Sequence, residues 1–82
     1  MTTERHAQVA SITRTIEATW RIEAAKIIAT LTRYVGDFSV AEDLAQDALA
    51  QALADWPRAG VPDNPAAWLT ATAKRRAIDG WR

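Results

Sequence analysis

Apolar residues in the first half of the chain recur at steps of three and four, which is the period of one helix face. The stripe consists of Val9, Ile12, Ile16, Trp20, Ala24, Ile27, Leu31 and Tyr34. It is strongest over residues 16–35, and Gly36 supplies a C-terminal stop. The pattern predicts a first helix packed on a core. Residues 1–13 are expected to fray or to form a separate short helix.

A second helix is predicted from the cap signals around residue 40. Ser39 and Glu42 have the spacing of a capping box, in which each side chain satisfies a free backbone N–H at the helix start. Pro57 lacks a backbone N–H, so the helix is expected to end near Asp55 or Trp56. Six apolar residues then share the predicted core face: Leu44, Ala45, Ala48, Leu49, Ala52 and Leu53.

The opposite face of this second helix combines carboxylates with alanine. It carries Asp43, Asp47, Ala50 and Ala54. Alanine allows another helix to approach closely, and carboxylates can pair with a partner's arginines. The same residues are also typical of a solvated helix with high helix propensity and dipole-compatible acids. The stretch taken alone favours this simpler interpretation.

A third helix is predicted to begin at Asn64 and Pro65, with asparagine as N-cap and proline in the first helical position. It runs toward Arg82, and Gly80 weakens its end. Trp68, Ile78 and Trp81 cannot all face the same core as Leu69, Ala73 and Ala77. Some of them are therefore expected to be exposed, or covered by a further part of a longer protein.

Basic residues cluster on this third helix at Lys74, Arg75, Arg76 and Arg82. Exposed aromatic rings beside arginines can stack on bases and neutralise phosphates. Arg76 is also expected to pair with Asp79 at the i,i+3 spacing.

The three helices, with no alternating strand pattern, predict a single all-α domain over residues 1–82. Formal net charge is zero. However, residues 37–55 contain five acids and no base, whereas residues 64–82 contain four bases and one acid. This separation of charge has two explanations, which fit it equally well. The two segments could form two surfaces with different partners, or the acidic helix could simply pair with the basic one.

Enzymatic chemistry has little support in the composition. The chain has no cysteine, its one histidine is His6 near the start, and its three glycines are too scattered for a phosphate-binding loop. We therefore expect no enzyme activity, no cofactor and no metal. The sequence carries no signal peptide and no apolar run long enough for a membrane span, so a cytoplasmic location is expected.

Two motifs together resemble region 2 of bacterial RNA polymerase sigma factors, most closely the extracytoplasmic-function (ECF) type. They are AEDLAQDALAQALADWP at residues 41–57 and NPAAWLTATAKRRAIDGWR at residues 64–82, joined by a short Pro/Gly loop. The resemblance extends over about residues 14–82. Family members normally continue into a second DNA-binding domain, and we expect residues 1–82 to hold the first of the two domains without the second.

The resemblance implies that the acidic helix docks on the clamp helices of the polymerase β′ subunit. The residues expected to bind core polymerase are Glu42, Asp43, Gln46, Asp47, Ala50 and Ala54. It also implies a role in transcription initiation and its regulation, with an anti-sigma factor as a candidate partner.

The loop and third helix would bind and melt the minus-ten promoter element through its non-template strand. The residues expected to contact DNA are Trp56, Arg58, Val61, Pro62, Asp63, Asn64, Trp68, Lys74, Arg75, Arg76 and Arg82. One alternative is a helical protein-interaction module without DNA binding. A helix-turn-helix repressor is disfavoured, because the loop over residues 57–64 is long and proline-rich.

Overall fold

The structure, a computed structural model, describes the backbone of residues 2–81 and the side chains of residues 9–80. It contains three α-helices: α1 at Thr2–Val35, α2 at Phe38–Ala59 and α3 at Pro65–Trp81. No strand occurs in this part of the chain. Each helix packs against the other two. The predicted all-α bundle of three helices is confirmed.

Helix α1 determines the length of the molecule. Its 34 residues correspond to about 50 Å at 1.5 Å per residue, and the longest dimension of the domain is 47 Å. The helix has no break near Ser11. It ends where Gly36, with a φ of 79°, donates its N–H to the Thr32 carbonyl at 2.8 Å. Gly36 is therefore the stop that the sequence predicts.

Helix α2 begins earlier than predicted. Its N-cap is Asp37, whose extended backbone has a φ of −148° and a ψ of 121°. The Asp37 carboxylate accepts the Val40 N–H at 3.0 Å, and its carbonyl accepts the Ala41 N–H at 3.0 Å. Ser39 consequently lies inside the first turn, and Glu42 lies too far along the helix to reach the cap. The predicted capping box was wrong because Asp37 caps the helix two residues earlier, through the amide of Val40.

Helix α2 also ends later than predicted, because it continues through Pro57 to Ala59. Proline removes the one hydrogen bond that its nitrogen would have donated to the Leu53 carbonyl. Gly60, with a φ of 95°, then closes the last turn by donating its N–H to the Trp56 carbonyl at 2.8 Å. A proline this close to the end of a helix therefore costs it one bond without terminating it.

The core lies where the three helices meet, and small residues supply half of it. Its buried members are Ile16, Ile27, Leu31, Ala41, Leu44, Ala45, Ala48, Ala52, Trp56, Leu69, Ala73 and Ala77. Four alanines of α2 face inward, which lets the neighbouring helices approach its backbone. Leu53, predicted to be in the core, is 42% exposed. The buried stripe of α2 is centred near Ala52, and Leu53 is turned about 100° away from it.

Helix α3 begins as predicted. The Asn64 side-chain oxygen accepts the Ala67 N–H at 3.1 Å, and its carbonyl accepts the Trp68 N–H at 3.1 Å. Leu69, Ala73 and Ala77 are buried, whereas Ile78 is 39% exposed. The helix therefore has the divided apolar surface that its sequence indicated.

Candidate functional site

The outer side of α2 presents the six residues that the sequence assigned to polymerase binding. We define the α2 outer face as Glu42, Asp43, Gln46, Asp47, Ala50 and Ala54, all of which are exposed. Among the described residues, none forms a hydrogen bond or ion pair with these side chains. The face is positioned by the opposite stripe of α2, which the core fixes. It is available in full to a partner.

The carboxylates of the α2 outer face form a compact recognition element. Asp43 and Asp47 are one turn apart, about 6 Å along the helix axis. Ala50 and Ala54 continue the same side and leave it flat. This arrangement can accept charge-assisted hydrogen bonds from two arginines of an adjacent helix, while the alanines allow that helix to lie close.

The basic residues of α3 are less uniform, because some of them are engaged inside the molecule. Arg76 donates from Nη2 to Gln51 Oε1 of α2 at 3.1 Å. The predicted ion pair between Arg76 and Asp79 does not form among the described side chains. That prediction was wrong because the i,i+3 spacing considers one helix alone, whereas α2 places an amide acceptor within reach.

The Arg76 contact belongs to a short polar network. Gln51 Nε2 donates to Asp55 Oδ2 at 2.8 Å, and Arg58 Nη2 contacts Asp55 Oδ1 at 3.2 Å. Asp55 thereby uses both carboxylate oxygens. Through Gln51, the network joins the end of α2 to the middle of α3.

Of Lys74 and Arg75, one is also engaged by a contact inside the domain and the other is not. Lys74 is half-buried, and its Nζ lies 5.1 Å from the centre of the Tyr34 ring on α1. Arg75 is exposed and makes no such contact with a described residue. Of these two cations, Arg75 is therefore the one that has only solvent or a partner to bind.

Trp56 is a core residue, so its predicted contact with DNA has to be corrected. Its side chain is 1% exposed. Its ring packs edge-on against that of Trp68, with centroids 5.2 Å apart and an interplanar angle of 72°. A side chain in this position cannot reach a base. The signal was present in the sequence, because Trp56 lies one turn beyond Ala52 on the same inward stripe.

The loop between α2 and α3 covers residues 60–64, which is shorter than predicted because Pro57 lies inside α2. Val61, Asp63 and Asn64 are exposed, and Pro62 is half-buried. The Asn64 side-chain oxygen is occupied as the cap of α3. The amide nitrogen of Asn64 can still donate a hydrogen bond to a ligand.

A polar cleft of about 350 Å³ lies between α2 and α3. Its lining consists of Gln51, Asp55, Trp68, Thr72, Arg75, Arg76 and Asp79. The cleft combines a tryptophan ring with hydrogen-bond donors, hydrogen-bond acceptors and side chains of both charge signs. A flat polar group could stack on the ring and form hydrogen bonds with the polar side chains. Sequence reasoning did not assign Gln51, Asp55 or Thr72 to a site. The i,i+4 spacing of Gln51 and Asp55, on the side facing α3, was the available signal.

Arg82, predicted to contact DNA, lies outside the described residues, as does the side chain of Trp81. Within residues 2–81, no helix is long and apolar enough to cross a membrane. Nor do the described side chains include a group of three or more His, Cys, Asp or Glu residues suited to a metal ion.

Comparison with known families gives a match to Sigma-70 region 2 over residues 20–82. The chain belongs to the Sigma-70 region 2 family. The match includes the whole of α2 and α3 and the part of α1 from Trp20 onward. The predicted family is thus confirmed, and with it a place among the domains of sigma factors, which act in transcription initiation.

Individual relatives add less than the family match. The chain is 43% identical over 49 residues to an uncharacterized protein of Rhizobium meliloti (strain 1021). The aligned part is 60% of this chain and 12% of that protein, so the chain spans about an eighth of the relative's length. No solved structure gives a significant match to this Sigma-70 region 2 domain.

Proposed function

We propose that this chain is the core-binding and promoter-melting domain of an ECF-type sigma factor. The observation that carries the proposal is the α2 outer face, where all six residues expected to bind polymerase share one exposed surface that no other described side chain engages. The proposed partner is RNA polymerase, through the clamp helices of its β′ subunit. The domain supplies specificity to an enzyme that carries out the chemistry, and it is not itself an enzyme.

The docking part of the proposal depends on charge and on close approach. Asp43 and Asp47 are exposed one turn apart on α2, and Glu42 extends the acidic surface toward its start. Arginine side chains from a facing helix would pair with these carboxylates. A bulky residue at Ala50 or Ala54 would hold that helix away, which explains why small residues suit this side.

The DNA part of the proposal depends on the loop and α3. The exposed loop residues Val61 and Asp63 adjoin the start of α3. The cleft lined by Trp68 and Arg75 offers a ring and a cation to an unstacked base of the minus-ten non-template strand. Arg58, Lys74 and Arg76 would add phosphate contacts at its rim, although each already has a contact within the domain. This assignment replaces Trp56, which is buried.

Two further parts of the proposal come with the family. An anti-sigma factor would regulate such a domain by covering one of these surfaces. The site of action would be the bacterial cytoplasm, where polymerase and promoter meet.

The decisive test is charge reversal on the α2 outer face. Asp47→Arg should abolish pull-down of a fragment containing the β′ clamp helices, because it places like charges across the interface. The far-ultraviolet circular dichroism of the variant should remain unchanged, since Asp47 is exposed and pairs with no described residue. The matched control is Asp79→Arg, the same change at an exposed position of α3. Normal recovery of β′ by Asp47→Arg would refute the docking proposal.

A further inference from the structure

Helix α1 has a solvent side whose character differs from that of the rest of the domain. It lies opposite Ile16, Ile27 and Leu31, which are buried. We define the α1 outer face as Arg14, Ala18, Arg21, Ile22, Ala25, Lys26, Ala29 and Arg33, all exposed. It extends over about 29 Å of helix. Neither of the surfaces described above includes it.

The charge of the α1 outer face has a single sign. Its four cations, Arg14, Arg21, Lys26 and Arg33, lie within roughly 80° of the direction of Ala18 on a helix with 3.6 residues per turn. The two acids of the same stretch, Glu17 and Glu23, lie at the edges of the face, and Glu17 is exposed. Glu17 adjoins Trp20 and Leu53 in a hollow between α1 and α2, at the edge of which Arg21 also lies. Glu23 is half-buried in the groove between α1 and α3.

These four cations are not satisfied within the described part of the domain. None of them forms a hydrogen bond or an ion pair within 4 Å of a described acid. The nearest acid in sequence beyond the face is Asp37, and its carboxylate is turned to the Val40 amide at the start of α2. A complementary partner would therefore be acidic.

The centre and one end of the α1 outer face are apolar. Ile22 is 77% exposed, the largest value among the exposed large hydrophobic residues of the described chain. Phe38 is 59% exposed. It closes an almost wholly apolar hollow formed with Ala25, Ile28, Ala29 and Thr32. An exposed apolar patch framed by charge is typical of a protein-binding surface.

We propose that the α1 outer face binds an acidic amphipathic helix of a partner protein. The apolar residues of that helix would cover Ile22 and enter the hollow beside Phe38, while its flanking carboxylates would pair with the four cations. About 20 residues of helix would match the length of the face. The alanines at 18, 25 and 29 allow the two helices to lie close together.

The alternatives fit the same residues less well. Nucleic acid would satisfy the cations but would leave the hollow at Phe38 and the Ile22 side chain without apolar contacts. A membrane surface would need more large apolar residues than Ile22 and Phe38 provide. Among the described residues, the acidic surface that a second copy of the domain could offer is its α2 outer face, which is the surface proposed for polymerase. The inference does not depend on the polymerase proposal, because the two use opposite charges on different helices.

The test uses the full chain and a synthetic 20-residue helical peptide as the probe. In the peptide, leucine recurs at helical spacing on one face and glutamate flanks it. One control peptide replaces the leucines by glutamine, and another replaces the glutamates by lysine. Binding is measured by fluorescence anisotropy of the labelled peptide at low and physiological salt. We expect the leucine–glutamate peptide to bind and both control peptides to bind at least about tenfold more weakly.

Variants of the face locate the binding. Ile22→Glu and Arg21→Glu should each lower the affinity for the peptide by about tenfold or more. Neither variant should lose helicity or recovery of β′ in the pull-down. Ile78→Glu, which changes an exposed isoleucine of α3 in the same way, should bind like the parent chain.

Three results would overturn the inference. Equal affinity of the parent chain and the Ile22→Glu variant would show that the peptide binds elsewhere. Loss of DNA binding in Arg21→Glu, with the peptide unaffected, would assign the face to nucleic acid. A dimer in sedimentation that Ile22→Glu dissociates would assign it to a second copy.

Discussion

The α2 outer face and the basic side of α3 differ in how far the domain itself uses their charges. Asp43 and Asp47 have no partner among the described residues. On α3, Arg76 is bonded to Gln51 and Lys74 lies over Tyr34, and only Arg75 of these three cations is without such a contact. Both regions look like charged helix surfaces in the sequence. In the structure the first region makes no side-chain hydrogen bond or ion pair with another described residue, whereas the second also holds the helices together.

This difference separates binding from stability in the two regions. A substitution on the α2 outer face should change affinity while the free energy of unfolding stays constant. A substitution on α3 should change both quantities at Arg76 and Lys74, and affinity alone at Arg75. Four substitutions follow in order of decreasing expected effect on stability: one in the core that both regions share and three on α3.

The largest effect should come from Trp56→Ala, which truncates the largest buried side chain of the core that both regions share. Truncating a buried tryptophan costs about 3–5 kcal/mol, which is a large part of the stability of a small domain. Urea unfolding followed by circular dichroism should show most of the variant unfolded, or a midpoint shifted far below that of the parent. Trp56→Phe, which keeps a ring against Trp68, should lose less. A parental midpoint for Trp56→Ala would contradict the buried position.

Arg76→Ala should cost about 1 kcal/mol of stability, the typical net value of one hydrogen bond. It removes the Nη2 contact to Gln51 that joins α3 to α2. A double-mutant cycle with Gln51→Ala measures the coupling directly by urea unfolding. If the two losses of stability simply add, the contact between Arg76 and Gln51 does not stabilise the domain. Arg76 would then resemble Arg75, whose substitution is expected to change affinity alone.

Lys74→Ala should cost about 0.5–1 kcal/mol, as expected for a partly exposed cation over an aromatic ring. The loss should disappear when the same substitution is made in a Tyr34→Leu background, because the ring is then already absent. Thermal unfolding of the four proteins provides the comparison. An equal loss in both backgrounds would show that the aliphatic stem of Lys74, rather than its charge, packs against α1.

Arg75→Ala should have the smallest effect on stability, within about 0.5 kcal/mol, since its side chain is exposed. Its effect should appear in DNA binding instead. Each lost phosphate contact on a single strand flattens the log–log salt dependence by about 0.7. Anisotropy of a labelled minus-ten non-template strand, titrated at several salt concentrations, measures that slope. An unaltered slope would show that Arg75 does not contact a phosphate of the DNA.

Local signals predicted helix boundaries well only where one signal stood alone. Asn64 followed by Pro65 has no competitor nearby, and α3 begins there. Asp37 and Ser39 are both good caps two residues apart, and the choice between them depends on how α1 ends at Gly36. Pro57 shows the same limit, because proline is a weak terminator when only one turn remains.

Contacts between helices were beyond the reach of spacing rules. Arg76 and Gln51 are 25 positions apart, so no pattern within one helix could pair them. Helical spacing within α2 correctly predicted that Asp43, Asp47, Ala50 and Ala54 lie on its exposed side. The resemblance to sigma factors misplaced Trp56, because a shared motif does not say whether a given side chain points into the core.

The contact between buried Trp56 and half-buried Trp68 also gives the domain an optical property. Trp56 and Trp68 come from different helices, and their rings lie 5.2 Å apart at 72°. Two chromophores this close couple electronically, so their paired bands in near-ultraviolet circular dichroism depend on the docking of α3 against α2. The indole nitrogen of Trp56 is buried and has no hydrogen-bond partner among the described residues. The chain has four tryptophans, and the contribution of Trp56 to their fluorescence should be blue-shifted until water enters. A red shift of the emission of the unlabelled protein would then report separation of α3 from α2.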